Sequence, residues 1–170
     1  MTTPCGSDNT TDTHYGPRRL RDVSSSGHYM VVLDTDHLNV LERNTSPGST
    51  TLRAHLTRLP PDEVVTTIIS YEEQMQGWMA YLAQSRSVAQ QVVAYGRLLQ
   101  HLDNYRRIPV LAFDEAAALV FQRLRRTRLR VGTMDLKIAA IVLCRGALLL
   151  SKNLTDFGQV PGLQVEDWTA

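Results

Sequence analysis

The chain has 170 residues, with 18 basic and 17 acidic side chains and a net charge of +1. This balance excludes a protein that attracts nucleic acid or membranes through its overall charge, so any such attraction must come from a local patch. Two cysteines, Cys5 and Cys144, exclude a disulfide framework and a thiolate metal cage, and they suit a cytoplasmic protein. The longest apolar stretch, Ile138–Leu150, is interrupted by Arg145 and Gly146 and is too short to span a membrane.

Residues 1–28 differ in composition from the rest of the chain. They are rich in Ser, Thr, Gly and Asp, poor in aliphatic residues, and contain no apolar signal core. Such a segment cannot bury enough apolar surface to offset the entropy lost on ordering. We therefore predict a disordered extension over 1–28 and one folded domain over 29–170.

Regular apolar segments begin near Tyr29. None of them alternates between apolar and polar residues, which is typical of parallel strands covered on both faces. Helical patterns separate them, with two helices between the second and third strands. The predicted fold class is α/β, with a mostly parallel sheet of four or five strands flanked by helices. The predicted strands are Val31–Leu33, Val64–Ile69, Val110–Phe113, Ala147–Leu150 and a short one in the tail "VPGLQVEDW".

The helical patterns are apolar residues at helical spacing. The first helical pattern has leucines at Leu52, Leu56 and Leu59. Two further helices follow the second strand, and two more follow the third. Gly146 is placed as a C-terminal stop for the last of them. The corresponding segments are Tyr71–Leu82, Val88–Leu102, Asp114–Leu129 and Asp135–Arg145.

Acidic residues follow the predicted strands. Because ligands of open parallel sheets bind outside the carboxyl ends of the strands, several of these acids are expected to meet at one edge. Clustered carboxylates repel one another, and the usual remedy is a divalent ion with oxygen ligands, Mg²⁺ or Mn²⁺. The pattern thus favours metal-assisted phosphodiester or phosphoryl chemistry. The acids that follow strands are Asp34, Glu72 or Glu73, Asp114 and Asp156, and Asp135 opens the helix that leads to the fourth strand.

Each acid also has a purely structural interpretation. Asp34, Asp36, Asp114 and Asp135 could each cap a following helix, and Ser70 with Glu73 matches a capping box. Asp156 could be an ordinary loop acid.

Only one of Glu72 and Glu73 can face the site, because neighbours on a helix point about 100° apart. Glu73 is favoured because Gly77, four residues on, leaves room above its carboxylate.

A basic stretch, "RLRRTRLRVGTMD", runs directly into Asp135. Arginine is suited to bidentate contacts with phosphate, so this stretch is a candidate phosphate-binding surface. A solvated helix face, or a surface for an acidic partner, explains it equally well. The residues assigned to phosphate contact are Arg126, Arg128, Arg130 and Lys137.

Taken in their order along the chain, the motifs resemble those of PIN-domain ribonucleases, especially VapC-type toxins of toxin–antitoxin pairs. "VVLDTDHLNVL" is similar to the opening of that family, and "IISYEEQMQGW" to its second motif. The closest similarity lies in "RVGTMDLKIAAIVLCRGALLLSKNLTDFGQVPGLQVEDW". The resemblance extends from about Tyr29 to Trp168, and implies a small three-layer α/β sandwich around a parallel sheet.

The resemblance also implies metal-dependent endonucleolytic cleavage of RNA, often of tRNA. It assigns the acidic site to Asp34, Glu73 and Asp135, which would hold one or two Mg²⁺ or Mn²⁺ ions. The fourth acid of the family falls at Asn153 in some relatives and at Asp156 in others, so that position stays open. The resemblance places Asn153, Ser70 and Asp36 next to these ligands, where Ser70 would orient the ligands or a water molecule. It further implies a VapB-like antitoxin, a homodimer and no membrane.

Two alternatives remain beside this hypothesis. "VVLDTD" also fits the strand and Asp-x-Asp of a HAD-type phosphatase, with Asp34 as nucleophile and Asp36 as acid/base, although that leaves the Glu73 motif and the tail unexplained. The other alternative is a PIN relative that binds RNA or antitoxin without catalysis, which the amide at Asn153 keeps open.

Overall fold

Five short parallel strands form one sheet in the order β3-β2-β1-β4-β5. The computed structural model describes residues 29–43 and 46–170, so the prediction for residues 1–28 lies outside the described residues. The central strand is the first in the sequence, and β2 and β4 lie on its two sides. The strands are β1 (Val31–Leu33), β2 (Val64–Thr67), β3 (Val110–Leu111), β4 (Leu148–Leu150) and β5 (Gln164–Glu166).

Helices cover both faces of this sheet. Two helices connect each of the pairs β1–β2, β2–β3 and β3–β4, and one short helix connects β4 to β5. No helix in the described part of the chain is both long and apolar enough to cross a membrane. A short 3₁₀ turn, Pro61–Glu63, precedes β2. The helices are α1 (Thr35–Arg43), α2 (Pro47–Leu56), α3 (Ile68–Gln84), α4 (Val88–Tyr105), α5 (Glu115–Arg126), α6 (Thr133–Arg145) and α7 (Leu154–Phe157).

The core consists of two apolar layers, one on each face of the sheet. Val31 and Leu33 point to one face and pack with Leu38 of α1 and Leu52 of α2. Val32, between them, points to the other face and packs against the cluster that contains α6 and part of α5. Successive side chains of a strand point to opposite faces, so three consecutive apolar residues supply both layers. The predicted three-layer sandwich is confirmed.

The boundary between β2 and α3 lies two residues earlier than the sequence predicts. Thr67 is extended, with φ −113° and ψ 155°, and its hydroxyl accepts the backbone N–H of Ser70, so Thr67 is the N-cap of α3. Ile68 and Ile69 are therefore helical, and the capping box predicted for Ser70 and Glu73 is wrong. Glu73 lies in the second turn, where it has no capping function.

Of three other predicted helix caps, two are present in the structure and one is not. Asp114 is the N-cap of α5, and its carboxylate accepts the N–H of Ala117 at 3.0 Å. Gly146 ends α6 in the left-handed conformation, with φ 58°. Asp135 does not cap α6, because Gly132 is the N-cap and makes no side-chain bond there. The carboxylate of Asp135 is therefore free for another function.

One face of α4 carries large apolar side chains that the folded chain leaves exposed. Val88 is 75% exposed and Leu99 62% exposed, and Val92, Tyr95 and Leu102 lie between and beyond them at the same helical spacing. These five residues are called the α4 stripe below. The apolar periodicity does mark a helix, but this face contributes nothing to the core of the chain.

Candidate acidic site

The carboxyl ends of β1, β2 and β4 bring acidic and hydroxyl side chains to one edge of the sheet. Asp34 follows β1, Ser151 follows β4, and Glu73 lies on α3 beyond the end of β2. The backbone N–H of Asp34 donates to the carbonyl of Leu150, which extends the pairing of β1 and β4 to the point where the acids begin. The parallel register therefore positions this edge.

Asp34 is the most buried acid of the group, with only 7% of its surface exposed. One carboxylate oxygen accepts the N–H of Thr35, and the other accepts the hydroxyl of Ser151, both at 2.7 Å. Burial raises the pKa of Asp34 to about 6; the negative charges of Asp36 and Glu73 add to the rise, and the two hydrogen bonds oppose it. Such a carboxylate is in an unfavourable environment until a positive charge approaches.

Glu73 is half-buried and is held by the residue that follows Asp34. The hydroxyl of Thr35 donates to Oε2 of Glu73 across 2.5 Å. Its neighbour Glu72 accepts from Gln76 instead, on the surface of α3. The preference for Glu73 over Glu72 therefore agrees with the geometry, and Gly77 leaves open space, with no atom within 4 Å of where its Cβ would be.

Asp135 and Asp156 lie on either side of one amide group. The Nδ2 of Asn153 donates to Asp135 at 3.3 Å and to Asp156 at 3.0 Å. Its Oδ1 accepts the backbone N–H of Asp156, so Asn153 is also the N-cap of α7. The amide thus presents hydrogen atoms to the two carboxylates, and its oxygen is directed to the helix.

The charges of the group act on one another. Burial raises the pKa of Asp135, and the nearby charges of Glu73, Asp156 and Asp36 raise it further, against the hydrogen bond from Asn153. Together with the effects on Asp34, these interactions connect the predicted acids into one electrostatic cluster. Its members are Asp34, Asp36, Glu73, Asp135 and Asp156.

The donor set fits a hard divalent cation in its chemistry, because carboxylate oxygens are the ligands that Mg²⁺ and Mn²⁺ prefer. Mutual repulsion, seen in the raised pKa values of Asp34 and Asp135, is what such an ion relieves. Within residues 29–43 and 46–170, however, no three or more His, Cys, Asp or Glu side chains are already arranged as a metal site. Hydrogen bonds to Thr35 and Asn153 occupy Glu73, Asp135 and Asp156 instead.

Two predicted supporting residues lie in different surroundings. Asp36 borders the cluster: its Oδ2 accepts the N–H of Lys152 at 2.7 Å and lies 3.3 Å from the Ser151 hydroxyl. Ser70 is completely buried, and its hydroxyl lies 3.1 Å from that of Thr67 at the start of α3. The orienting function assigned to Ser70 stays a prediction.

Thr35 and Ser151 are contacts of the acids that the sequence analysis missed. Thr35 stands beside Asp34, and Ser151 directly follows β4, so both could have been found as hydroxyl residues at strand ends.

The residues assigned to phosphate contact lie shortly before α6 or within it, the helix that carries Asp135. Arg126 ends α5, and Arg128 and Arg130 lie in the connection to α6, whose first turn contains Asp135. All three arginines are exposed, and Arg128 has a positive φ of 51°. Lys137, one turn into α6, is half-buried, with Nζ 3.9 Å from the sulfur of Met134.

Comparison with known proteins finds similarity to VapC nucleases. No family model matches the chain. It is 35% identical over 66 residues to the tRNA(fMet)-specific endonuclease VapC of Salmonella typhimurium, a match covering 36% of this chain and 50% of that protein. It is 29% identical over 115 residues to ribonuclease VapC1 of Haemophilus influenzae, covering 65% of this chain and 78% of the relative.

The fold also has solved counterparts. The structure of VapBC-1 from nontypeable Haemophilus influenzae superposes with a TM-score of 0.60 at 25% identity, covering 83% of this chain and 99% of the other. The parallel sheet and its flanking helices share the fold of this VapBC structure. The chain is therefore similar to VapC proteins in sequence and to a VapBC structure in fold. The chain spans about half the length of the Salmonella relative that it matches.

Proposed function

We propose that the protein is a metal-dependent endoribonuclease that hydrolyses phosphodiester bonds of RNA. The observation that carries this proposal is the cluster of Asp34, Glu73, Asp135 and Asp156, in which burial and mutual repulsion raise the pKa of Asp34 and Asp135. A fold tolerates this unfavourable arrangement when its function requires it. The names of the Salmonella and Haemophilus relatives, an endonuclease and a ribonuclease, support the same activity.

Asp34, Glu73, Asp135 and Asp156 are the residues that would hold Mg²⁺ or Mn²⁺. The ion supplies positive charge that offsets the phosphate and makes water a better nucleophile. A carboxylate has about four lone-pair sites, so Glu73, Asp135 and Asp156 would hold the ion while Thr35 and Asn153 still donate to them. The hydrogen bonds thus keep the acids close together and only partly neutralised before the ion arrives.

The other side chains of the edge orient these acids. The Ser151 hydroxyl and the Thr35 N–H fix both oxygens of Asp34, so its carboxylate plane is set before any ligand binds. The Thr35 hydroxyl does the same for one oxygen of Glu73. Fixed carboxylates lower the cost of reorganisation during the reaction. The cleavage step needs no covalent bond between protein and RNA.

We place the RNA backbone along the basic connection between α5 and α6. Arg126, Arg128 and Arg130 are exposed there, beside the helix that carries Asp135 and Lys137. Guanidinium groups make bidentate contacts with phosphate, and the patch supplies the local attraction that a net charge of +1 does not. A tRNA is the proposed substrate, because the Salmonella relative is named for cleaving one. The proposed place of action is the cytoplasm.

A VapB-like antitoxin is the proposed partner, since the Haemophilus structure is a VapBC assembly. The α4 stripe offers an exposed apolar surface for a protein contact, and homodimerisation is the second proposed association. Light scattering of the purified chain should report the mass of a dimer, and Leu99→Glu should restore the monomer mass if the stripe forms that contact.

Cleavage of a total tRNA pool tests the proposed activity. Purified protein with Mg²⁺ or Mn²⁺ should produce discrete fragments that disappear with EDTA and with Asp34→Asn. Asp103→Asn, at an exposed position on α4, is the matched control and should cleave like the wild type. Folded, antitoxin-free protein that leaves all RNAs intact would contradict the proposal.

The absence of cleavage would favour the second candidate, a non-catalytic PIN relative that binds RNA or antitoxin. One observation supports that candidate: at Asn153, an amide rather than a carboxylate lies between Asp135 and Asp156. The HAD-type phosphatase is disfavoured by the surroundings of Asp36, whose oxygens contact His37, Lys152 and Ser151 and are not free for acid/base work.

A further inference from the structure

A fully buried imidazole connects the C-terminal segment to the acidic edge. His37 has no exposed surface, although it lies only three residues from Asp34. Its Nδ1 lies 2.7 Å from Oδ1 of Asp36, and because a carboxylate only accepts, Nδ1 carries the hydrogen. Its Nε2 accepts the backbone N–H of Trp168 at 3.4 Å and lies 3.4 Å from a carboxylate oxygen of Asp167.

The C-terminal segment that contacts His37 is itself fixed. Residues 167–169, called the strap below, form a turn in which Asp167 accepts the N–H and the hydroxyl of Thr169, at 2.8 and 2.7 Å. The Trp168 ring lies 5.3 Å from that of His55 on α2. Gly48 allows the close approach of the strap, because a Cβ there would lie 2.8 Å from the carbonyl oxygen of Thr169.

On the side of Asp36, His37 affects which carboxylate accepts the hydrogen bond of the Ser151 hydroxyl. The Ser151 hydroxyl has a single hydrogen and two carboxylates within reach, Asp34 at 2.7 Å and Asp36 at 3.3 Å. Asp36 already accepts from His37 and from the N–H of Lys152, both at 2.7 Å. With both its oxygens supplied, Asp36 is the weaker competitor, and Ser151 donates to Asp34.

We infer that His37 is a positioning residue for the acidic site, held by the strap and acting through Asp36 on Ser151 and Asp34. This inference rests on the proposed nuclease function. Without the imidazole, Oδ1 of Asp36 loses its donor, and the Asp36 carboxylate turns from Lys152 and accepts the hydrogen bond of the Ser151 hydroxyl. Asp34 then loses the hydrogen bond that sets its carboxylate plane.

Two substitutions at His37 separate its two contacts. In His37→Asn, the amide nitrogen can replace Nδ1 and keep the bond to Asp36. In His37→Gln, the longer amide can replace Nε2 and keep the contact with the strap, but it loses Asp36. Both variants remove similar packing, so a merely structural function would affect them alike.

The first measurement is hydrogen exchange of the Lys152 amide, which needs no RNA. Lys152 is exposed, so its protection depends on the bond to Asp36. We expect exchange about tenfold faster in His37→Gln than in wild type, the factor expected from losing one hydrogen bond, with His37→Asn close to wild type. The second measurement is the rate of RNA cleavage at saturating RNA. A loss of about 10- to 100-fold in kcat is expected for His37→Gln alone, with KM unchanged.

Gly48→Ala tests the strap without changing His37. Its Cβ would collide with the backbone of Thr169, whereas Gly96→Ala, the matched control on α4, meets no atom within 4 Å. Faster Lys152 exchange and slower cleavage in Gly48→Ala but not in Gly96→Ala would support the inference.

Equal Lys152 exchange in His37→Asn and His37→Gln, or wild-type exchange in Gly48→Ala, would overturn the inference. If wild-type protein cleaves no RNA, the proposed function fails, while the exchange measurements still decide whether His37 holds Asp36.

Discussion

Replacing Asp34 by asparagine should remove activity and stabilise the fold. The pKa of Asp34 is raised from 3.8 to about 6, so ionising this side chain is harder in the folded than in the unfolded chain. One pKa unit corresponds to about 1.4 kcal/mol, and the rise therefore corresponds to about 3 kcal/mol of stability that the ionised carboxylate removes at neutral pH. Asparagine keeps an oxygen for the N–H of Thr35 and has no charge.

The difference in stability between wild type and Asp34→Asn should depend on pH. Below pH 3.8 Asp34 is protonated in both states and the two proteins should be nearly equal in stability. As the pH rises from about 4 to 6, wild type should lose stability relative to Asp34→Asn, and above about 6 the difference should stay constant. Urea unfolding in EDTA across this range measures it, with the exposed Asp103→Asn as control.

Addition of Mg²⁺ should make wild type more stable than Asp34→Asn. An ion bound only by folded wild type stabilises it by mass action, and Asp34→Asn lacks the charge to hold the ion equally well. If Asp34→Asn is less stable than wild type at pH 7.5 in EDTA, burial and repulsion do not dominate at Asp34, and the reasoning is wrong.

Three further predictions concern the same edge of the sheet. Thr35→Val should lower kcat about 10- to 100-fold, because Glu73 loses the hydroxyl that holds it; a Val variant with wild-type kcat would show that this bond is unimportant. Asn153→Asp should lower the Mg²⁺ concentration needed for half-maximal cleavage, because a carboxylate replaces the amide between two acids; an unchanged metal titration would contradict this. Replacing Arg126, Arg128 and Arg130 by glutamine should reduce the slope of log affinity against log salt by about 2, at about 0.7 for each phosphate contact to single-stranded RNA, and an unchanged slope would place the RNA elsewhere.

The sequence predicts the architecture well because the pattern of buried strands is strong. Val31–Leu33 and Leu148–Leu150 are continuous apolar runs, and every residue of both strands is buried. The boundary at Thr67 was not predictable from apolarity, because Ile68 and Ile69 continue the apolar run while the Thr67 hydroxyl starts the helix. Apolar spacing also cannot distinguish a core face from the exposed α4 stripe, since both satisfy the same periodicity.

The site is less predictable than the fold. The end of β1 indicates where Asp34 should lie, and the start of α6 does so for Asp135, but the hydrogen-bond partners depend on residues distant in sequence. Thr35 meets Glu73 across 38 residues, and the strap meets His37 across 131 residues. Nothing around His37 in the sequence indicates that its imidazole would be fully buried.

The separation of Asp34 and Ser151 also has a consequence for biosynthesis. Their hydrogen bond joins residues 117 positions apart, and β1 cannot pair with β4 until the ribosome has made both. At a synthesis rate of ~5–20 residues per second, roughly 6 to 23 s pass between the two. During that interval the nascent chain carries Asp34 without the strand that completes its surroundings, so the acidic edge forms only after β4 has been made.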